Sequence, residues 1–311
     1  MMHVETAPEL ERDDRSVLTT GTFDGVHLGH QKILGYLVRR AREIGGVPTV
    51  VSFDPHPRQV LGGERVPLLT TLDERATLLA AHGVERFVVL PFTRDLSLLE
   101  PRAYVEDVLI GQVGLREIVI GYDHRFGRAR AGGRETLEQI GAERGFSVDV
   151  IPEISEHGAT VSSTRVRELL ARDGDAASAA ALLGRPYSIS GTVVRGAGRG
   201  RTLGFPTANI RVGDPRKLVP RVGVYAVWAD LGDGSRRGGM LNVGRRPTFE
   251  TDGALSIEAH LFDVAADLYG RTVTLEVVAR LRDERSFGGV EELVEQLRTD
   301  EVDARHQLGR R

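Results

Sequence analysis

Two hydrophobic patterns alternate through the first part of the chain. Compact apolar runs at 16–20, 48–53, 86–90, 116–120 and 147–151 each predict a strand. Between them, apolar residues recur every three or four positions, as at Ile33, Leu34, Leu37 and Val38 within 31–44. That spacing predicts helices over 31–44, 72–82, 101–111, 134–145 and 164–172, the last behind a Ser-Ser-Thr start signal. Short strands alternating with amphipathic helices imply a parallel sheet covered on both faces. The stretch DGDAASAAALLGRP (173–186) is the expected boundary, after which the pattern changes. Segments 187–194, 223–229, 238–243, 255–263 and 271–281 alternate apolar and polar residues, with GAGRGR, GDGSRRGG, TDG and DLYG as turns. They predict an antiparallel barrel or sandwich, closed by an amphipathic helix over 289–298. The fold class is α/β plus all-β, with domains at 1–183 and 184–311.

Composition narrows the function. A chain of 311 residues, 41% hydrophobic and 27% charged, suits a globular protein of two domains. A net charge of -3 argues against a mainly electrostatic partner, so neither nucleic acid nor a membrane surface is expected. No apolar run is long enough to span a bilayer, and the acidic start MMHVETAPELERDDRS has no apolar core like that of a signal peptide. With no cysteine, thiolate catalysis and Cys-ligated metals are excluded, and a cytoplasmic location is expected. Lys32 and Lys217 are the only lysines, and no glycine-rich stretch ends in Lys-Ser or Lys-Thr. Phosphate chemistry must therefore rest on backbone N–H groups, Arg, His and a metal rather than on a P-loop.

Three polar clusters follow predicted strands: GTFDGVHLGH (21–30), DPHP (54–57) and GYDHRFG (121–127). In a parallel sheet such positions converge on one ligand site. Gly21, Gly25 and Gly29 allow close backbone approach. The helix beginning near His30 presents free N–H groups to an anion, with His27 and His30 beside it. Ser163, Thr164 and Arg167 stand at another helix start and suit phosphate. Asp54 and His56 fit either an active site or a strand-end turn.

The string G-x-F-D-G-x-H-x-G-H resembles the FAD synthetase module of bacterial bifunctional riboflavin kinase/FMN adenylyltransferases, within the nucleotidylyltransferase superfamily. FDPHP (53–57), IGYDHRFG (120–127) and VSSTRVR (161–167) are similar to further motifs of that module, in order. The resemblance implies a Rossmann-like fold in which Gly21, Phe23, Asp24, Gly29, Ser163, Thr164 and Arg167 surround ATP. His27 and His30 would steady the charge that develops during transfer. Asp54, His56, Asp123, His124 and Phe126 would wall the nucleotide and flavin, with His124 standing where the family usually has Phe.

The second domain carries GTVVRGAGRGRTLGFPTANI (191–210), and LGFPTAN resembles the riboflavin kinase motif. NVGRRPTF, SIEAHLFD, LYGRTVTLEV and LRDERSFGGVEELVEQLRTD extend the likeness. Thr207 and Asn209 are hard oxygen donors on one side of an extended segment, a set that suits Mg²⁺. Glu258 matches the family's general base, and His260 reads as structural. Gly196, Gly198, Arg201 and Gly204 would hold ATP; Asn242, Arg282 and Phe287 would hold flavin or phosphate. A surface role for Arg282 stays open. The activity implied is phosphorylation of riboflavin to FMN followed by adenylylation of FMN to FAD, with ATP and Mg²⁺ in both steps. A homo-oligomer is left open.

Overall fold

A computed structural model describes residues 2–6, 9–63, 65–122, 124–152, 155–156, 159–196, 199–245, 255–264 and 266–309. The chain forms two compact units, Met1–Ser163 and Thr164–Arg311.

The first unit is built on strands β1 (His3–Thr6), β2 (Ser16–Thr20), β3 (Val47–Asp54), β4 (Arg86–Pro91), β5 (Leu115–Gly121) and β6 (Ser147–Ile151). Their order is β1-β4-β3-β2-β5-β6, and every pairing is parallel. Consecutive residues show why both faces are covered. Val17, Val50, Phe87 and Val119 enter one buried cluster; Leu18, Val51, Val88 and Ile118 enter another. Helices α1 (Leu28–Ile44), α2 (Pro57–Gly62), α3 (Leu72–Ala81), α4 (Arg94–Leu98), α5 (Pro101–Ala103) and α6 (Arg134–Arg144) connect the strands, α5 running on as a π-helix, Tyr104–Val113. Leu34, Leu37 and Ala41 of α1 pack on the first cluster. Leu109 of the π-helix and Leu137 of α6 pack on the second. A two-strand hairpin, β7 (Ser155–Glu156) and β8 (Ala159–Thr160), precedes the last helix of this stretch.

The five expected strands and their helices are present. Strand β1 was not expected, because HVET has a single apolar residue and no periodicity. It is held from outside: buried Arg86 on β4 donates to both Glu5 carboxylate oxygens at 2.8 Å and to Ser16 Oγ at 3.0 Å. The short helices α2 and α4 also escape a periodicity argument.

In the second unit α7 (Ser163–Glu168), which starts at the last residue of the first, runs through a π-turn (Leu169–Asp173) to α8 (Ala176–Leu183). Helix α8 packs on the barrel through small buried residues, Ala176 and Ala179, and Leu183. Strands β9 (Tyr187–Val194), β10 (Ala208–Val212), β11 (Gly223–Asp230), β12 (Arg236–Arg245), β13 (Leu255–Leu261) and β14 (Thr272–Arg282) close in the order β10-β13-β12-β11-β14-β9. A single turn, α9 (Arg199–Thr202), precedes β10. All barrel pairings are antiparallel, so the expected all-β domain is a closed barrel. The closing helix α10 (Val290–Gly309) runs longer than the apolar spacing suggested. Its second half buries Ala304 and Leu308 against Phe205, Met240 and Phe262.

Candidate active sites

In the first unit the segments after β2, β3 and β5 leave the carboxyl ends of three neighbouring parallel strands. The turn after β2 is strained: Phe23 (φ 47°) and Val26 (φ 41°) sit in the left-handed region although neither is glycine. Both side chains are buried in the core. Asp24 supplies the polar restraint. It is fully buried and accepts from Leu69 N–H (3.0 Å), Thr70 N–H (2.8 Å) and Thr70 Oγ1–H (3.0 Å). Buried Arg75 lies 3.6 Å from the same carboxylate and donates to Ser52 Oγ at 3.2 Å, while Ser52 donates to Thr22 O at 3.1 Å. Asp24 thus faces inward and braces the turn.

That brace presents His27, the N-cap of α1, whose Nδ1 accepts the His30 N–H at 3.3 Å. The two imidazoles stack with centroids 3.7 Å apart, and Phe23 tilts onto His30 at 4.7 Å. Gly29 makes the stack feasible: a Cβ there would lie 3.2 Å from the His27 ring. Gly21 begins the turn, donating its N–H to Val51 O at 3.0 Å. Ser163 Oγ, at the last residue of the first unit, donates to the Asp24 carbonyl at 2.8 Å; Thr164 and Arg167 belong to the second unit.

The rest of the expected wall divides. Asp54 ends β3, and His56 caps α2, its Nδ1 accepting from Arg58 N–H at 3.2 Å. Phe126 is buried in the core beside Tyr104, while the His124 ring stacks 5.8 Å from it. Tyr104 was not anticipated. Its hydroxyl is 3.2 Å from Thr20 Oγ1, and burial pushes its phenol up to about 12, so it stays protonated. Asp123 lies outside the described residues.

In the second unit the barrel register builds the site. Glu258 on β13 is paired with Asn209 on β10 and with Asn242 on β12. Directly opposed residues share a sheet face, so the three side chains form one row. Thr207 Oγ1 donates to Glu258 Oε2 at 3.3 Å. Asn209 is buried over Gly196, where a Cβ would stand 2.2 Å from its amide nitrogen. Gly204 turns the chain (φ 81°) between α9 and β10. Gly198 and the 246–249 part of NVGRRPTF lie outside the described residues, as does the side chain of Arg201.

Arg282 is committed internally. Its guanidinium makes a two-point pair with buried Asp300 on α10, with contacts of 2.7–3.0 Å, and donates to Asp283 O. Phe287 lies under both Arg282 and Arg285. Sequence reasoning passed over Asp300, Arg75 and Ser52; a charged residue inside a helical apolar face was the one available signal for the first two. It also passed over Glu284, whose carboxylate lies over Gly244 beside Asn242.

A family model described as FAD synthetase matches residues 9–165, and one described as riboflavin kinase matches residues 183–308. The bifunctional riboflavin kinase/FMN adenylyltransferase of Pseudomonas fluorescens is 39% identical over 93% of this chain and 92% of its own. The chain belongs to the bifunctional riboflavin kinase/FMN adenylyltransferase family. The family member of the same name from Escherichia coli (strain K12) is 38% identical over 94% of this chain and 93% of its own. A solved Streptococcus pneumoniae structure, described as a macrolide-efflux protein, is 31% identical with a TM-score of 0.88, covering 97% of this chain and 98% of that one. Efflux is that protein's own description. Among the described residues here, no helix is long and apolar enough to cross a membrane.

Proposed function

We propose that the chain carries the two halves of a two-step flavin synthesis in catalytic domains at 1–183 and 184–311. The second domain phosphorylates riboflavin to FMN, and the first adenylylates FMN to FAD. Both steps consume ATP. The observation that carries the reading is the row Asn209, Glu258 and Asn242 with Thr207 bonded to Glu258.

In the kinase step Glu258 takes the proton of the ribityl 5′-hydroxyl as that oxygen attacks the γ-phosphorus of ATP and ADP leaves. Asn242 orients the flavin-side hydroxyls. The segment Gly196–Gly204, with Gly198 and Arg201, receives the nucleotide, and Arg282 positions the loop that carries Phe287. Thr207 and Asn209 are hard oxygen donors beside a carboxylate, a set that fits Mg²⁺. When bound, Mg²⁺ supplies charge neutralisation at the phosphate oxygens.

In the adenylyl step an FMN phosphate oxygen, already anionic, attacks the α-phosphorus of ATP and pyrophosphate leaves. The enzyme's task is alignment and charge stabilisation. His27, His30 and the N-terminus of α1 meet the triphosphate; Ser163, Thr164 and Arg167 hold its leaving half. Asp54, His56, Asp123 and His124 line the acceptor, and Phe126 supports that wall from the core. The location we assign is the cytoplasm.

The test is incubation of the protein with riboflavin, ATP and Mg²⁺, with flavins separated over time. FMN appears first and FAD second. Glu258→Gln abolishes FMN formation and leaves FMN-to-FAD conversion intact. Loss of both activities in that variant refutes separate sites.

A further inference from the structure

His260 has no part in the chemistry assigned above, yet it stands two residues along β13 from Glu258, on the same strand face. Its ring meets Phe205 edge-on at 5.2 Å and Phe262 at 5.9 Å. Both phenyl rings are buried where α10 covers the barrel. Packed there, the imidazole directs Nδ1 at the carbonyl oxygen of Pro206, 2.8 Å away. A carbonyl can only accept, so Nδ1 carries a proton and donates it.

The residue after Pro206 is Thr207, whose hydroxyl reaches Glu258. Phe205 is tied through its N–H to the Gly200 carbonyl at 2.9 Å, but Pro206 and Thr207 precede β10, which starts at Ala208, and so lie outside the barrel ladder. Two side chains of β13 bind this segment instead: His260 takes the Pro206 carbonyl and Glu258 takes the Thr207 hydroxyl.

We propose that His260 is a positioning residue of the kinase site, which sets the approach of Thr207 to Glu258 by donating from Nδ1 to the Pro206 carbonyl. This rests on the kinase reading of Thr207 and Glu258.

The test uses the full chain with His260→Asn, His260→Gln and His260→Phe. The Asn amide nitrogen falls where Nδ1 lies, whereas the Gln amide falls at Nε2. Loss of an outer-shell partner costs about tenfold or more, so kcat for riboflavin phosphorylation should fall about tenfold in the Gln and Phe variants. The Asn variant should keep most of the rate. KM for riboflavin should not move, and FMN adenylylation in the same preparations should equal wild type. A second readout needs no turnover. In a two-bond ¹H–¹⁵N spectrum of the wild-type chain, the His260 signals, assigned by their loss in the Asn variant, should show a protonated Nδ1. An Nε2–H tautomer, or Asn and Gln variants of equal rate, overturns the proposal even if the Phe variant does not fold. A wild-type chain that forms no FMN, or an active Glu258→Gln variant, sinks the kinase reading instead and leaves the tautomer result standing.

Discussion

Asp24→Asn isolates the brace beneath the α1 turn. The wild-type carboxylate takes three hydrogen bonds and faces the Arg75 guanidinium, with both side chains at most 3% exposed. An amide can keep one oxygen for Thr70, but its nitrogen then opposes the Leu69 N–H. Arg75 then loses the charged carboxylate 3.6 Å away. Removing one partner of a buried pair costs about 3–5 kcal/mol. That is a large share of the roughly 5–15 kcal/mol that holds a domain folded. Urea unfolding can assign the loss to one unit. The single tryptophan, Trp228, lies on β11 of the barrel, so its fluorescence follows the second unit alone, while circular dichroism follows both. The expected result is an earlier transition by dichroism with the fluorescence midpoint unchanged. FMN adenylylation should fall about 100-fold from misplacement of His27, with riboflavin phosphorylation at wild-type rate. In Asp24→Asn/Arg75→Met no lone charge remains, so most of the stability should return. A cost below about 1 kcal/mol, the scale of an ordinary hydrogen bond, would refute the reasoning. So would a double variant as unstable as the sum of the singles.

Three further outcomes are expected. Gly29→Ala gains about 1 kcal/mol of helix propensity but presses on the His27 ring, so the thermal midpoint should hold or rise while adenylylation slows; an unaltered rate would remove the steric argument. Asp300→Asn removes the carboxylate that faces Arg282 beneath α10 and should cost the barrel about 3 kcal/mol, read as an earlier Trp228 transition in urea. Burial disfavours the charged form of Glu5, but Arg86 outweighs it and holds the carboxyl below its ordinary value. A depressed folded value stabilises at pH above the unfolded value of about 4.3 and is lost as pH falls through the folded one. Acidification through that window should therefore lower the Tm of wild type more than that of Glu5→Gln, and parallel melting curves would refute the linkage.

Much of both sites was legible because the informative strings are local. GTFDGVHLGH places a turn and a helix start in one stretch, and LGFPTAN does the same for a strand entry. What these residues touch was not legible. Asp24 reads as a loop carboxylate open to a ligand, and only the approach of the 69–70 segment and α3 shows that it points inward. Alternation put Glu258 on one face of its strand, but the pairing that sets it between Asn209 and Asn242 depends on barrel register. Arg282 gave no local sign that Asp300, on a helix predicted to end at 298, would claim it. Strands β1 and β10 were missed because their own patterns are too short to announce a strand; β1 is held by a partner about 80 residues away, and β10 by β9 and β13.

The strand pairings also set an order of events during synthesis. His3 pairs with Arg86, and Thr192 with Thr272, so in each unit one strand waits for a partner made about 80 residues later. Loop closure over such spans is slow, and until it happens β1 and the early barrel strands have unsatisfied edges. The first unit can complete its sheet while the second is still being translated. The barrel cannot close until β14, Thr272–Arg282, is made. A chain truncated before Thr272 should therefore leave β9 and β11 each with one open edge where β14 would pair, and accumulate as an aggregating species rather than as a shortened barrel.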